Sequence, residues 1–308
     1  MRSARRKVFI AKRKKEIKKN SLFLKLLIPI CLVAAVFIIL KMSTRSWNGT
    51  NKIPLVYRED AGNVVVTVLD PKLLEITTLI IPGNTEVAVA RNYGTLQIKN
   101  VWQLGVNEKI GGNLLAETIT QNFLFPTTLW SEGNPGIENR DLGKLINFIF
   151  GSKETNIPLG DRIQIVAFSL KIQDFGRSNI DLGKSQFLDK KKLSDGQIGY
   201  VLVGPMSQRL TIYFSDNEIG NMDVKVNITD ATGKVGVSER LGEILQVIGG
   251  KVVSVDRKTT VEDIDCVITG LNGLTVKKIS KLFSCRVGSN QTSFDLDIRV
   301  GSQFAKRF

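Results

Sequence analysis

From Leu26 to Leu40 the chain carries fifteen consecutive uncharged residues, most of them large aliphatics, with Lys25 before them and Lys41 after. Such a run belongs either in a protein core or in a bilayer, and its flanks decide between them. Extended to Leu22–Met42 it is long enough to span, since a hydrocarbon core takes about 20 helical residues. Lys25 can carry its ammonium out to the headgroups along its own aliphatic stem, so it flanks the span without the cost of a mid-bilayer charge, as does Lys41. Upstream, Met1–Asn20 holds ten Lys and Arg against the single acid Glu16. A basic tail before the first apolar segment keeps the N-terminus in the cytoplasm and sends everything beyond about residue 43 across the membrane. Lys41-Met42-Ser43-Thr44-Arg45 offers no small-x-small cleavage site, so the segment reads as an anchor and not as a cleaved leader. The tail accounts for most of the formal net charge of +14. It has no interleaved aromatics and no folded reading module, so a topology signal explains it and no nucleic-acid partner is expected.

The chain has no histidine. That excludes Ser-His-Asp and Cys-His catalysis and any His-ligated zinc, each of which requires an imidazole. What lies beyond the span reads as a short polar linker, 43–52, followed by two α/β units at 53–216 and 223–304. The β-branched run Asn63–Leu69, stopped by Asp70-Pro71, and the run Leu74–Ile81 predict a hairpin. Gly111–Phe123 repeats as a helix with Asn113 as its N-cap, and Leu142–Phe150 is a short apolar helix. Thr127–Asn139 reads as loop, Arg162–Leu170 and Arg209–Phe214 as strands, and Asp174–Gly199 as a solvated loop or sheet edge. Within that last stretch Lys190–Lys192 would be a basic patch for an anionic polymer only as a minor reading.

In the second unit Val224–Ile228 alternates as a strand. Val237, Leu241, Ile244, Leu245 and Ile248 then fall on one helical face. Gly249-Gly250 ends that helix, because glycine takes the left-handed cap conformation freely, and Lys251–Val255 follows as a strand. Asp265–Thr269, a helix carrying Val276, Ile279, Leu282 and Phe283, and the strictly alternating Phe294–Val300 complete it. Cys266 and Cys285 stand 19 positions apart in the exported part. Two readings stay open for them: a disulfide, or two buried free thiols acting as small hydrophobes.

The stretch VKVNITDATGKVGVSERLGEILQVIGGKVVSVD, with its Gly233/Gly236 turn, and the terminal FDLDIRVGSQF resemble the C-terminal domain of LytR-CpsA-Psr (LytR-type) envelope proteins. The stretch NVVVTVLDPKLLEITTLIIPGNTEVAV, with Tyr93-Gly94, Ile98 and Gly111-Gly112, is similar to the start of that family's catalytic domain. The resemblance implies a single-pass, N-in protein of the cell envelope. It also implies a relation to phosphotransferases that move glycopolymer from a polyprenyl pyrophosphate carrier to peptidoglycan with Mg²⁺. The chain departs from the family at the residues that matter. The family's Ile-Pro-Arg-Asp turn, whose arginine binds pyrophosphate, reads Ile81-Pro82-Gly83-Asn84; its metal-linked aspartate falls near Gly62; its later arginine-rich segment has no counterpart. Cleaving a pyrophosphate bond needs clustered cations to neutralise its charge, and Gly83 and Gly62 supply none. Arg58, Arg91, Lys99, Glu59 and Asp60 are the residues that could substitute.

The expectation is therefore an α/β protein with one N-terminal transmembrane helix, a divergent LytR-CpsA-Psr-like domain and a small α/β C-terminal domain. It would act outside the membrane as a non-catalytic relative that binds or scaffolds cell-wall glycopolymer or envelope proteins. No catalytic, cofactor or metal residue is assigned, and Mg²⁺ is expected only in the alternative of an active transferase. A further alternative is an unrelated single-pass scaffold of the division machinery.

Overall fold

A computed structural model describes Pro29, Trp47 and residues 49–204, 210, 212–289 and 292–308. The basic tail and, apart from Pro29, the 21–42 span with Lys25 and Lys41 lie outside the described residues. Among the described residues no helix is long and apolar enough to cross a membrane. Residues 47–157 and 162–308 form one compact unit.

The organising strand is β2 (Val64–Asp70), whose seven residues are all buried. It pairs antiparallel with β1 (Ile53–Arg58) and with β3 (Glu75–Ile81), Asp70 standing opposite Glu75 across the expected Asp-Pro hairpin. Parallel edge strands β6 (Leu129–Ser131) and β7 (Arg177–Asp181) complete a sheet of order β6-β1-β2-β3-β7. Alternate residues of β2 face different cores. Val64, Val66 and Val68 pack with Ile98, Val101 and Trp102 of α1 (Ile98–Asn107) and with Leu114, Leu115 and Ile119 of α2 (Asn113–Phe123). Val65 and Leu69 pack with Leu145 and Phe148 of α3 (Leu142–Phe150) and with Ile165 and Val166 of α4 (Leu159–Lys171). The result is a sheet covered on both faces, which is why β2 reads as a near-continuous β-branched run in which Thr67 is the one polar residue before Asp70.

A second sheet has the order β5-β4-β9-β8, built from β4 (Thr85–Ala88), β5 (Thr95–Gln97), β8 (Leu188–Lys192) and β9 (Ile198–Leu202). A third, of order β11-β10-β14-β12-β13, uses β10 (Lys225–Ala231), β11 (Lys251–Arg257), β12 (Cys266–Gly270), β13 (Arg286–Val287) and β14 (Leu296–Gly301). Short α5 (Asn217–Asn221) leads into it, and its core is shared with α6 (Val237–Ile248), α7 (Gly273–Phe283) and Phe304 of α8 (Ser302–Arg307). Strands β10 and β11 are parallel and joined through α6, the expected β-α-β unit, and Gly249 caps α6 at φ 107°. Cys266 and Cys285 are bonded to each other, Cα to Cα 4.8 Å, tying β12 to the end of α7.

Four local readings are corrected. Asn113 is the first helical residue of α2, and Gly112 precedes it as the cap. A side chain at Gly112 would collide with the rings of Trp130 and Trp102, which meet edge-to-face at 5.4 Å. Asn113 instead accepts from Trp130 Nε1 at 2.8 Å. The supposed loop Thr127–Asn139 contains β6. Arg162–Leu170 is helical: Ile165, Ser169 and Ile172 are buried at spacings of four and three while Leu170 is exposed, so packing overrides a locally strand-like composition. Leu210 is helical and Ile212–Phe214 forms a 3-10 turn that stacks Phe214 on Phe125 at 4.4 Å, where a strand was expected. Asp174–Gly199 supplies β7 and β8, both edge strands, in keeping with the edge reading.

The bond between Cys266 and Cys285 closes a loop of 19 residues, so replacing both by serine should lower unfolding stability by about 3 kcal/mol. Denaturant titration of oxidised and reduced native chain beside the double variant measures it.

Candidate functional site

The resemblance directs attention to the end of the first sheet where β1 turns into β2. There Glu59 N–H donates to Asn63 O, Gly62 N–H donates to Glu59 O, and Gly62 holds φ 87°. The neighbouring turn after β3 is woven into this one. Gly83 N–H donates to Asn63 Oδ1 at 3.2 Å, and Gly83 O accepts from Lys99 N–H at 3.1 Å. Thr85 closes the turn onto Pro82 O through both its amide and its hydroxyl, and Asn84 Nδ2 donates to Ile198 O of β9. A Cβ on Gly83 would overlap the carbonyl oxygen of Gly62, closer than such atoms approach. Position 83 therefore lacks its arginine and is also shut by backbone.

Of the substitute residues, Glu59, Asp60 and Lys99 come to this end and Arg58 stands at the end of β1, opposite Val64. Arg91 does not join them. It follows β4 at the tip of the β4–β5 hairpin, whereas Lys99 lies beyond the hairpin's open end, where Glu86 pairs with Gln97. Its guanidinium is held by Glu117, Nε and Nη2 each donating at 2.7 Å, and those bonds raise its already high pKa against the effect of partial burial. Among the described residues no group of three or more acidic or thiol side chains is gathered to hold a metal ion. With glycine at position 62, Glu59 and Asp60 are the carboxylates that this turn carries in place of the aspartate the resemblance implies.

Among the described residues, Arg140, Arg162 and Arg177 are consumed in structure. Arg177 donates to the carbonyls of Ile137, Ser169 and Ile172 (3.2 Å to the last), and burial, reinforced by Arg140, lowers its pKa. Arg140 pairs with Asp174 at 2.5 Å, and Arg162 donates to Phe148 O at 3.2 Å. Together these clamp the 137–140 segment, α3 and α4 around β7.

A buried polar chain crosses the sheet beneath them. Tyr57 OH donates to Glu138 Oε2 at 3.0 Å, Thr67 Oγ1 donates to Tyr57 OH at 3.4 Å, and Thr67 meets Thr78 at 3.4 Å. Burial first, and then the charge of Glu138, push the Tyr57 phenol well above its ordinary value, so it stays a proton-bearing donor and not a nucleophile. Sequence reasoning missed this chain, because nothing local announces a pair 81 positions apart. The recess beside it, lined by Ser131, residues 133–135, Asn147, Phe148, Lys153 and Thr155, has a volume of about 10 Å³, room for one water.

Basic residues open to solvent are found on β8. Lys190, Lys191 and Lys192 are exposed on the free edge of the second sheet, opposite Tyr200, Gly199 and Ile198, and have no ion-pair partner among the described residues. Lysines on an edge strand discourage pairing with another chain, and the same unpaired charge is free to meet a polyanion.

No family model and no curated protein matches the chain. Solved structures that it resembles include B. subtilis TagT, at 12% identity over 53% of this chain and 89% of that one with a TM-score of 0.38. B. subtilis TagV is similar at 11% over 67% and 100%, TM-score 0.38. The LytR-CPS2A-psr family protein YwtF (TagT) with bound octaprenyl pyrophosphate lipid is similar at 11% over 52% and 88%, TM-score 0.37. Overlaps this partial carry nothing about activity.

Gly83→Ala and Gly83→Arg should each cost about 1–3 kcal/mol, since both force the Gly62 and Gly83 backbones apart. Thermal unfolding checks this, and a fully stable arginine variant that gains pyrophosphate-lipid binding would contradict it.

Proposed function

We propose that the chain is a membrane-anchored extracytoplasmic envelope protein, a non-catalytic relative of the LytR-CpsA-Psr phosphotransferases that binds cell-wall polymer. The observation that carries this reading is the closed backbone at Gly83. Where the resemblance calls for a pyrophosphate-binding arginine, the Gly62 carbonyl leaves no room for any side chain. The bonding of Arg91 to Glu117, and of Arg177 to three carbonyls, supports the same reading, because cations already satisfied by protein groups are poor receptors for a phosphate. Binding in place of transfer needs only a surface, and the unpaired lysines of β8 are the surface assigned to an anionic glycopolymer.

Two measurements test the proposal on the full-length chain in detergent or nanodiscs. Incubation with a polyprenyl-pyrophosphate-linked glycopolymer, peptidoglycan and Mg²⁺ should yield no transferred polymer; metal-dependent transfer would overturn the non-catalytic reading. Lys190→Glu/Lys192→Glu should weaken binding to an anionic wall polymer by roughly tenfold and flatten its salt dependence, as removing two phosphate contacts does. Unchanged affinity would move the polymer site away from β8.

A further inference from the structure

The turn between β2 and β3 places side chains where folding does not want them. Leu73 and Leu74 stand exposed at its tip, and Leu74 holds φ 57°, a left-handed conformation that a bulky residue adopts only under constraint. Phe175, 90% exposed, lies in the 3-10 turn Asp174–Gly176 just before β7, and the next residue, Gly176, abuts the carbonyl of Leu74. Leu170, at the end of α4, is also exposed beside them. Apolar side chains gathered at one tip without cover are the mark of a contact surface.

The chain enters the folded unit at this same end. Trp47 is buried against Phe168 of α4, and Lys52, five residues on, pairs with Asp70 at 3.2 Å. Asp70 is the residue that builds the tip: its Oδ1 accepts from Lys72 N–H at 3.0 Å and from Leu73 N–H at 3.1 Å. One carboxylate thus fixes both the incoming chain and the protruding leucines. Five residue steps separate Met42 from Trp47, at most about 18 Å of extended backbone. Around the tip, Lys72 and Lys171 are exposed with no ion-pair partner among the described residues. Glu75 is the exposed acid nearby, and Asp174 is engaged by Arg140.

We infer that the tip formed by Leu73, Leu74 and Phe175 dips into the outer leaflet of the membrane that anchors the chain, with Lys72 and Lys171 on its anionic headgroups. The inference rests on the anchored reading proposed above. The occupant follows from three observations: the apolar tip, its basic flank, and the short length of chain between it and the apolar segment. Insertion of this kind needs only a few apolar side chains at the boundary plus headgroup attraction. It also fixes which end of the first sheet faces the lipid.

The test uses the full-length chain in nanodiscs containing anionic lipid, on a Cys31→Ser background that leaves the Cys266–Cys285 bond intact. An environment-sensitive fluorophore is attached through Phe175→Cys or, as a control, through Val235→Cys, a 96% exposed site in the turn beyond the far end of β10. The Phe175 probe should be blue-shifted and quenched by lipid-borne spin labels roughly threefold or more above the Val235 probe. Lys72→Glu/Lys171→Glu should reduce that quenching towards the control. A chain that stays with the nanodisc through gel filtration while both probes are quenched alike overturns this inference alone. A chain that separates from the nanodisc overturns the anchored reading and this one with it.

Discussion

The seven residues of β2 are all removed from water, and a strand in that condition has to be covered on two sides at once. Val64, Val66 and Val68 demand one apolar layer and Val65 and Leu69 another, each buried side chain contributing about 1.5–3 kcal/mol if the layer is supplied. Helices α1 and α2 supply the first and α3 and α4 the second. A one-residue slip against β1 or β3 would exchange the two layers. The register of the hairpin therefore decides which helices can dock where, and the Asp70 turn that sets the register becomes a structural pivot. The same turn pairs with Lys52 and so positions the arriving chain.

Parts of this were legible in the residues themselves. The β-branched run ending in Asp-Pro fixed the β2–β3 hairpin, and the spacing from Val237 to Ile248 before Gly249 marked α6, because both patterns are local and unambiguous. The stretch Arg162–Leu170 misled because its Ile, Val and Phe content is strand-like over nine residues. Its burial runs through Ile165, Ser169 and Ile172, and a serine holds a core position only because its hydroxyl donates to Ile137 O. Strands β1, β4 and β5 are short or interrupted and carry little periodicity of their own. They exist because β2 offers a partner to β1, β9 to β4, and β4 in turn to β5.

The candidate site divides in the same way. That glycine stands where a phosphate-binding arginine was expected could be read from the letters. That the position is sealed could not, because the seal is a carbonyl twenty-one residues earlier in the chain, brought there by two turns. Arg91 and Arg177 are as cationic on paper as any catalytic arginine. Only the partners they meet, a carboxylate 26 positions away and carbonyls from two other segments, remove them from chemistry. The Tyr57–Glu138 chain is equally invisible locally, and its cost when unpaired explains why it is so fully bonded.

In the third sheet the strand formed last in the chain is an inner one. β14 lies between β10 and β12, pairing parallel with the first and antiparallel with the second, and the α8 residues just after it bury Phe304 and bind Asp265 through Arg307. A polypeptide that emerges N-terminus first presents β10, α6 and β11 early, yet holds an open gap beside β10 until residues 296–301 arrive. Completion of this sheet thus waits on residues 296–301, whatever has folded before them. An interruption near the C-terminus would leave two unpaired strand edges in place of a merely shortened tail.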